Sequence, residues 1–381
     1  MSNRTLKVGI VAAEKSGDNL AANLIGSFRT NNDIQFFGVV GPRMREVGCT
    51  PVGDIESLSV MGFKDVIKSF PRLMYFKYMV CKKLLKHDID LFIGVDAPSF
   101  NLPLASKLKS KKSSLQVVQY VAPQLWAWRP NRVTNLKKLI DHLFVLFPFE
   151  EEYFSKLSVK SEFVGHPVAE KISAIKKRET RENLLELREL NVALLPGSRR
   201  EEIRIHAPIF FESIQILKHM IDKKIHINIA ASDDDAAKHL KQLAEKYEIT
   251  PLFYVDNSLD CMSESDFAIV SSGTASLEAF LSLKPMVVAY KTNRLNYYLY
   301  KKLINIEHIS LPNILTNSNL VPELIQSELT ANSIAKELML WMIDEERVNS
   351  FREAGTNFQS ILASRDGQKI EHRISLLLNR L

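Results

Sequence analysis

Among its 381 residues the chain has only three cysteines (Cys49, Cys81 and Cys261) and no apolar run of membrane-spanning length. Three widely separated cysteines fit no disulfide framework and no metal-ligand spacing, so reduced thiols in a cytosolic protein are expected. None of them has the neighbours of a nucleophile. A membrane helix would need about 20 consecutive apolar residues. A secretory leader is not expected either, because Met1–Lys7 run into a strand and Glu14 and Lys15 come too soon for a leader core. Short-period repeats and low-complexity tracts are absent. The turn Glu14-Lys-Ser-Gly-Asp18 lacks the Gly-x4-Gly-Lys spacing of a phosphate loop.

The composition is that of a globular protein, with 46% hydrophobic and 25% charged residues, and the length suits two domains. The net charge of +6 is concentrated. Between Val60 and His87 stand Lys64, Lys68, Arg72, Lys77, Lys82, Lys83 and Lys86 against Asp65 alone, so seven cations less one acid give +6. A single basic patch points to an anionic surface as partner and away from nucleic acid. Pro71 is expected to divide this segment, with Phe63, Val66, Ile67 and Phe70 on one helical face before it. Leu73, Met74, Tyr75, Phe76, Tyr78, Met79 and Val80 after it are too many for one stripe. Such a helix is either core, with snorkelling lysine stems, or in contact with lipid. Tyr297–Leu303 is a weaker version of the same signal.

Periodicity predicts parallel strands at Leu6–Ala13, Ile34–Val40, Leu91–Val95, Gln116–Val121, His142–Leu146 and Glu162–Val164. After a hinge near Gly165-His-Pro167, where His166 has structural and functional readings, the pattern restarts. Further strands are predicted at Asn191–Leu195, Lys224–Ala231, Pro251–Val255, Phe267–Val270 and Met286–Tyr290. Helical stretches between them, Asn19–Arg29 being the first, make βαβ units. The fold class is therefore α/β: two doubly wound Rossmann-like domains expected to face each other, with a helical tail from Thr330. The segment Lys369–Leu381 is amphipathic and needs a surface from the first domain or from a second chain.

Ligands of such sheets bind beyond the carboxyl ends of strands, and four turns there carry candidate chemistry. Ser271-Ser-Gly-Thr274 opens a helix and offers amides to a phosphate, or is a capped βα turn. Glu278, four residues after Thr274, misses the capping-box position and is expected to be spare for ribose-like hydroxyls. Gly197-Ser198-Arg199 adds a guanidinium suited to a diphosphate, or a surface arginine. Asp96 is either a general base or the N-cap of the helix opened by Ala97-Pro98. Glu14–Asp18 either binds acceptor hydroxyls or caps a helix through Ser16 or Asp18. Asp233-Asp-Asp235 reads as a helix N-terminus and not as a metal site.

Eight segments in order resemble the lipid-A-disaccharide synthase family, inverting glycosyltransferases of the two-domain GT-B type. They are Ala13–Asp18, Gly41–Met44, Gly94–Pro98, Trp126-Ala-Trp-Arg129 with Arg132, Phe163–Pro167, Leu194–Arg199, Ser272–Glu278 and Leu311-Pro-Asn-Ile314. Ala13 stands where many members have Gly, and Gln124 where Ser is usual. The resemblance implies transfer of 2,3-diacylglucosamine from UDP to the 6-hydroxyl of 2,3-diacylglucosamine 1-phosphate (lipid X), giving the disaccharide 1-phosphate and UDP. It implies an acceptor domain over residues 1–168, a UDP-sugar domain over 169–350, and helices 351–381 crossing to the first domain of the same or a partner chain as a possible homodimer.

Asp96 would be the base. Gly197, Ser198, Arg199, Ser272, Gly273, Thr274, Glu278 and Asn313 would bind the nucleotide sugar. Glu14, Ser16, Gly17, Asp18, Trp128, Arg129 and Arg132 would bind the acceptor. Phe70, Leu73, Phe76 and Met79 would meet acyl chains or the inner face of a Gram-negative inner membrane, as a peripheral cytoplasmic enzyme. No cofactor or metal is expected if Arg199 and the turn amides neutralise the diphosphate. The rival readings are a UDP-sugar epimerase and a non-catalytic, membrane-docked nucleotide-sugar binder.

Overall fold

The computed structural model describes residues 5–28, 33–59, 66–125, 133–174, 184–293, 297, 307–363 and 369–380, with the backbone alone for 59 and 66–70. The chain divides into two compact units, Met1–Pro167 with Leu362–Leu381, and Val168–Ile361.

The first unit runs β1 (Leu6–Ala12), α1 (Lys15–Ser27), β2 (Ile34–Val40), α2 (Pro42–Glu46), β3 (Thr50–Asp54), α3 (Glu56–Ser59) and α4 (Val66–Lys86). It continues with β4 (Leu91–Val95), α5 (Pro98–Lys111), β5 (Gln116–Tyr120), α6 (Val133–Leu139), β6 (His142–Val145), α7 (Pro148–Lys156) and β7 (Ser161–Phe163). Its seven strands lie in the order β3-β2-β1-β4-β5-β6-β7, all parallel.

After α8 (Pro167–Ala174) the second unit runs β8 (Glu189–Leu195), α9 (Arg200–Met220), β9 (Lys224–Ala231), α10 (Asp234–Lys246), β10 (Leu252–Val255) and α11 (Ser258–Ser263). Then come β11 (Phe267–Ser271), α12 (Thr274–Leu281), β12 (Met286–Tyr290), α13 (Leu311–Thr316), β13 (Glu323–Ile325), α14 (Ala331–Ile343) and α15 (Glu345–Leu362). The order is β10-β9-β8-β11-β12-β13, again parallel throughout. Both sheets are doubly wound, and the order reverses between β1 and β4 and between β8 and β11. Every residue of β4 and β11 is buried, as strands covered on both faces must be. These are the α/β units that the periodicity predicts.

Several local expectations are corrected. Helix α1 begins at Lys15, so Glu14–Asp18 is the first turn of a helix and not a loop before one. Pro71 lies inside α4 without dividing it, because a proline this near the start removes one ladder bond and Arg72–Lys86 continue the helix. Strands β3 and β13 escape the sequence pattern. Both are edge strands, one holding Pro51 and Gly53 and the other only three residues long. The chain returns to the first unit after α15: His166 N–H donates to Leu362 O (2.8 Å), and α16 (Ile370–Leu378) buries Ile374, Leu377 and Leu378 there. An Arg373–Glu162 ion pair fixes that helix.

The three cysteines are free and buried, and burial pushes the Cys49 and Cys261 thiols up to about 12, far from reactivity. Among the described residues no helix is long and apolar enough to cross a membrane.

Candidate functional site

The order reversals select the candidate turns. In the first unit β1 and β4 are neighbours, so Glu14–Asp18 and Asp96-Ala97-Pro98 leave the sheet side by side. In the second unit β8 and β11 are neighbours, so Pro196–Arg199 and Ser271–Thr274 do the same. Crevices at such reversals are where doubly wound sheets hold ligands.

Asp96 follows the last residue of β4, and its backbone is left-handed (φ 51°), as is that of Ala97 (φ 39°). Each such non-glycine residue costs roughly 1–3 kcal/mol. The N-cap of α5 is Ala97, which has no capping side chain, so the reading of Asp96 as the helix cap is excluded. Burial raises its carboxyl above the ordinary value of 3.8, and the Ala97 N–H opposes that rise. Beneath the turn, Asn101 Nδ2 donates to Asp96 O (2.8 Å), Val11 O (3.2 Å) and Val95 O (3.2 Å). Gln119 Nε2 donates to Asp96 O (3.1 Å) and Val121 O (3.2 Å).

The Glu14–Asp18 turn separates into two parts. Glu14 and Ser16 are exposed, and Glu14 occupies the N-cap position that was expected of Ser16 or Asp18. Gly17 lets α1 approach the sheet; a Cβ there would lie 3.3 Å from Ala12 Cβ and 3.4 Å from Val95 O. Asp18 is 1% exposed and turned away from the crevice. Its carboxylate accepts from Gly41 N (2.9 Å), Arg43 N (3.0 Å) and Met44 N (3.2 Å), tying α1 to the start of α2. Trp128, Arg129 and Arg132 lie outside the described residues.

In the second unit Gly197 needs its positive φ (118°), and a Cβ there would come within 2.6 Å of Glu202. Glu202 organises this turn: its carboxylate accepts from Ser198 N (3.2 Å), Arg199 N (3.3 Å) and Arg199 Nη1 (3.1 Å). Arg199 is the N-cap of α9 and its guanidinium is largely exposed. His206 is fully buried, with Nδ1 3.0 Å from Pro196 O and Nε2 accepting from Lys291 N (3.0 Å). Accepting at Nε2 requires a neutral ring with its proton on Nδ1, and burial lowers its pKa accordingly. The ring thus ties the exits of β8 and β12.

The N-cap of α12 is Gly273 (φ 132°), not a serine or threonine, with open space beside it. Thr274 is exposed at the same edge. Ser272 Oγ donates to Ile309 O (3.1 Å). Glu278 has one oxygen engaged: its Oε2 accepts from Ser258 Oγ (2.7 Å), and burial raises its carboxyl while that bond and Lys171 lower it. Asn313 is fully engaged, donating to Val321 O and Glu323 Oε1 (2.9 Å each) and accepting from Val321 N (2.9 Å). Glu323 also receives Ile309 N (3.0 Å) and Ser310 N (2.9 Å), fixing the segment that Ser272 touches. Asp233 caps α10 through Ala236 N (2.9 Å), as the reading of the acidic run expects.

The basic helix α4 presents Met74 (46% exposed), Tyr75 (65%) and Tyr78 (46%) outward. Leu73, Phe76 and Met79, expected to meet lipid, are half-buried, and Phe76 packs on Phe100 with ring centroids 6.1 Å apart. Lys77 is buried over the Phe100 ring at 5.3 Å. The side chain of Phe70 and most of Tyr297–Leu303 lie outside the described residues.

Sequence reading missed Glu202, His206, Ser258, Glu323, Asn101 and Gln119. Only Glu202 carried a signal, standing three residues after the cap of α9.

The Lipid-A-disaccharide synthetase family profile matches residues 8–372. A lipid-A-disaccharide synthase of Wigglesworthia glossinidia brevipalpis is 34% identical over 99% of both chains. That of Acinetobacter baylyi is 36% identical over 91% of this chain and 90% of its own. Among solved structures, the S. aureus MnaA-UDP co-structure superposes with a TM-score of 0.62 at 13% identity, covering 99% of this chain and 98% of its own. The glycotransferase of kitacinnamycin superposes with a TM-score of 0.62 at 14% identity, covering 98% of each. These two likenesses show a shared fold of the GT-B kind, while the family match and the relatives place the sequence itself. The chain belongs to the lipid-A-disaccharide synthase family.

Proposed function

We propose that this chain transfers 2,3-diacylglucosamine from UDP-2,3-diacylglucosamine to the 6-hydroxyl of lipid X, with inversion, releasing UDP and the lipid A disaccharide 1-phosphate. The observation that carries the reading is Asp96: a carboxylate at the end of β4, held on left-handed backbone, unspent as a cap and raised in pKa by burial. A base of raised pKa takes a proton more readily. In the single displacement Asp96 takes the proton of the acceptor hydroxyl while its oxygen attacks the anomeric carbon. The bond to UDP breaks on the opposite face, and the electron pair leaves with the diphosphate.

We assign the diphosphate to the exposed edge Ser272–Thr274 and to the Gly197–Arg199 turn. There Glu202 holds Arg199 Nη1 and leaves the rest of the guanidinium outward. Donors aimed at a charge that grows in the transition state contribute most to rate. Ser258 takes Glu278 Oε2, and Oε1 is assigned to a ribose hydroxyl. Asn313 serves the donor indirectly, by closing the turn between α13 and β13. Glu14 and Ser16 are assigned to the acceptor, with Trp128, Arg129 and Arg132 as the family resemblance implies; Asp18 is assigned to the scaffold.

The enzyme acts at the cytoplasmic face of the inner membrane as a peripheral protein, with Met74, Tyr75 and Tyr78 of the basic helix against lipid. A homodimer is not needed to cover α16, whose apolar stripe is buried in its own chain.

Incubation with UDP-2,3-diacylglucosamine, with and without lipid X, tests the reading. Disaccharide and UDP should form together, and only when lipid X is present. Asp96→Asn should lower turnover about 100-fold or more while UDP still binds. UDP release without lipid X, epimerised donor, or a near-normal Asp96→Asn enzyme would overturn it.

A further inference from the structure

The left-handed turn at Asp96 rests on two buried amides that the reaction itself does not use. Asn101 is 0% exposed and Gln119 is 1% exposed. They come from different elements, the first turn of α5 and the carboxyl end of β5, yet both donate to one atom, the main-chain oxygen of Asp96, at 2.8 and 3.1 Å. The same two NH2 groups also reach Val11 O, Val95 O, Tyr120 O and Val121 O, so they knit together the carboxyl ends of β1, β4 and β5. Val121, itself β-branched, is likewise left-handed (φ 73°), so the strain continues into the neighbouring strand end.

Two further details say that this arrangement is selected. Asn101 Oδ1 is buried with no hydrogen-bond partner, a state that buried polar atoms rarely accept. Flipping the amide would aim that oxygen at the carbonyls the NH2 now serves. Gly94, the last residue but one of β4, makes room for the pair: a Cβ there would lie 2.7 Å from Gln119 Oε1 and 2.9 Å from Asn101 Cβ. A glycine in a buried strand otherwise weakens it.

We propose that Asn101 and Gln119 are positioning residues for the transfer: by filling both lone pairs of the Asp96 carbonyl they hold its left-handed backbone and so aim its carboxylate at the acceptor hydroxyl. This rests on Asp96 as the base. Small misplacement of a reacting group is enough to matter, a shift of about 1 Å costing on the order of 100-fold in rate.

The test uses Asn101→Leu and Gln119→Met, which keep volume and delete the donors, alone and combined with Asp96→Asn in the full-length enzyme. Each folded single variant should lose about 10- to 100-fold in kcat, with the KM of both substrates within about twofold. The acidic limb of the kcat profile should move upward, because a relaxed turn loosens the Ala97 N–H contact that holds the Asp96 carboxyl down. Adding either change to Asp96→Asn should cause no further loss. A stability defect alone would lower the active fraction and leave the limb in place. Full kcat in both folded variants, a loss carried by KM, or additive losses with Asp96→Asn would overturn the positioning role while Asp96 stands. A near-normal Asp96→Asn enzyme would overturn the base assignment and this proposal with it. If Asn101→Leu fails to fold, Gln119→Met decides, and Gly94→Ala, which displaces the amides without deleting them, should show the same kcat loss.

Discussion

Asp18 separates a scaffold role from an acceptor role by a measurable margin. Its carboxylate accepts three main-chain N–H groups, and two of those bonds, from Gly41 and Met44, are buried. A hydrogen bond to a charged group is worth about 1.5–3 kcal/mol net, so Asp18→Ala should destabilise the first unit by about 3–6 kcal/mol. Gly41 has an ordinary negative φ, and its need for glycine is contact alone: a Cβ would sit 2.4 Å from Asp18 Cγ. Gly41→Ala should therefore cost about 1–3 kcal/mol by overpacking.

The two losses cannot add, because removing the carboxylate removes what the new methyl strikes. In the double variant the Gly41 change should be nearly neutral, a coupling of about 1–3 kcal/mol. A two-unit chain has no single unfolding free energy, so the assay is urea-dependent hydrogen exchange read through peptides of β1 and β4, with β8 and β11 as internal reference. Additivity within about 0.5 kcal/mol would refute the clamp. So would an Asp18→Ala enzyme of unchanged stability and raised acceptor KM.

His166 and the basic helix yield two more tests. Burial pushes the His166 ring down to about 4, from 6.5. The unfolded chain therefore takes up its proton first as pH falls, and the stability present above pH 6.5 drains away toward pH 4. At pH 5 this amounts to about 2 kcal/mol, which His166→Gln should abolish. Comparing the two proteins cancels His206, which acts in the same sense, and Asp96 and Glu278, which act in the opposite one; equal pH dependence in both would refute the assignment. On α4, replacing Met74, Tyr75 and Tyr78 by Ser should weaken binding to anionic vesicles by about tenfold or more and leave the enzyme folded. Replacing Leu73, Phe76 and Met79 should unfold it, since Phe76 fills space beside Phe100 and Gly53. Unchanged vesicle binding by the outward triple would refute the docking face.

Much of the frame is legible in one dimension because buried parallel strands are continuous apolar runs. Ile34–Val40, Leu91–Val95, Lys224–Ala231 and Met286–Tyr290 come out to the residue. Edge strands β3 and β13 do not, since half-covered strands tolerate Pro51, Gly53 and short length. The candidate turns were legible for a related reason: chain order alone places them at strand ends, and topology then pairs them at the two order reversals. What holds each turn was hidden. His206 meets Lys291 across 85 residues, Asn101 meets Val11 across 90, and Asp18 meets Met44 across 26. No periodicity encodes such ties, because each depends on which strand lies next to which.

At Asp96 the structure removes one of the two readings that the sequence leaves level, that of the helix cap. A capping aspartate sits in extended backbone and gives its carboxylate to the amides of the first helical turn. Here the cap position passes to Ala97, which has nothing to give, so α5 forgoes a cap worth about 1 kcal/mol. Pro98 supplies part of the cause, because the residue before a proline is kept out of the right-handed helical region. It does not account for the left-handed geometry of both Asp96 and Ala97, which adds roughly 1–3 kcal/mol each. A turn that gives up its cap and takes on strain is selected for something other than stability. The group released by both concessions is the Asp96 carboxylate, at the end of β4 and beside the exposed Glu14 and Ser16 turn.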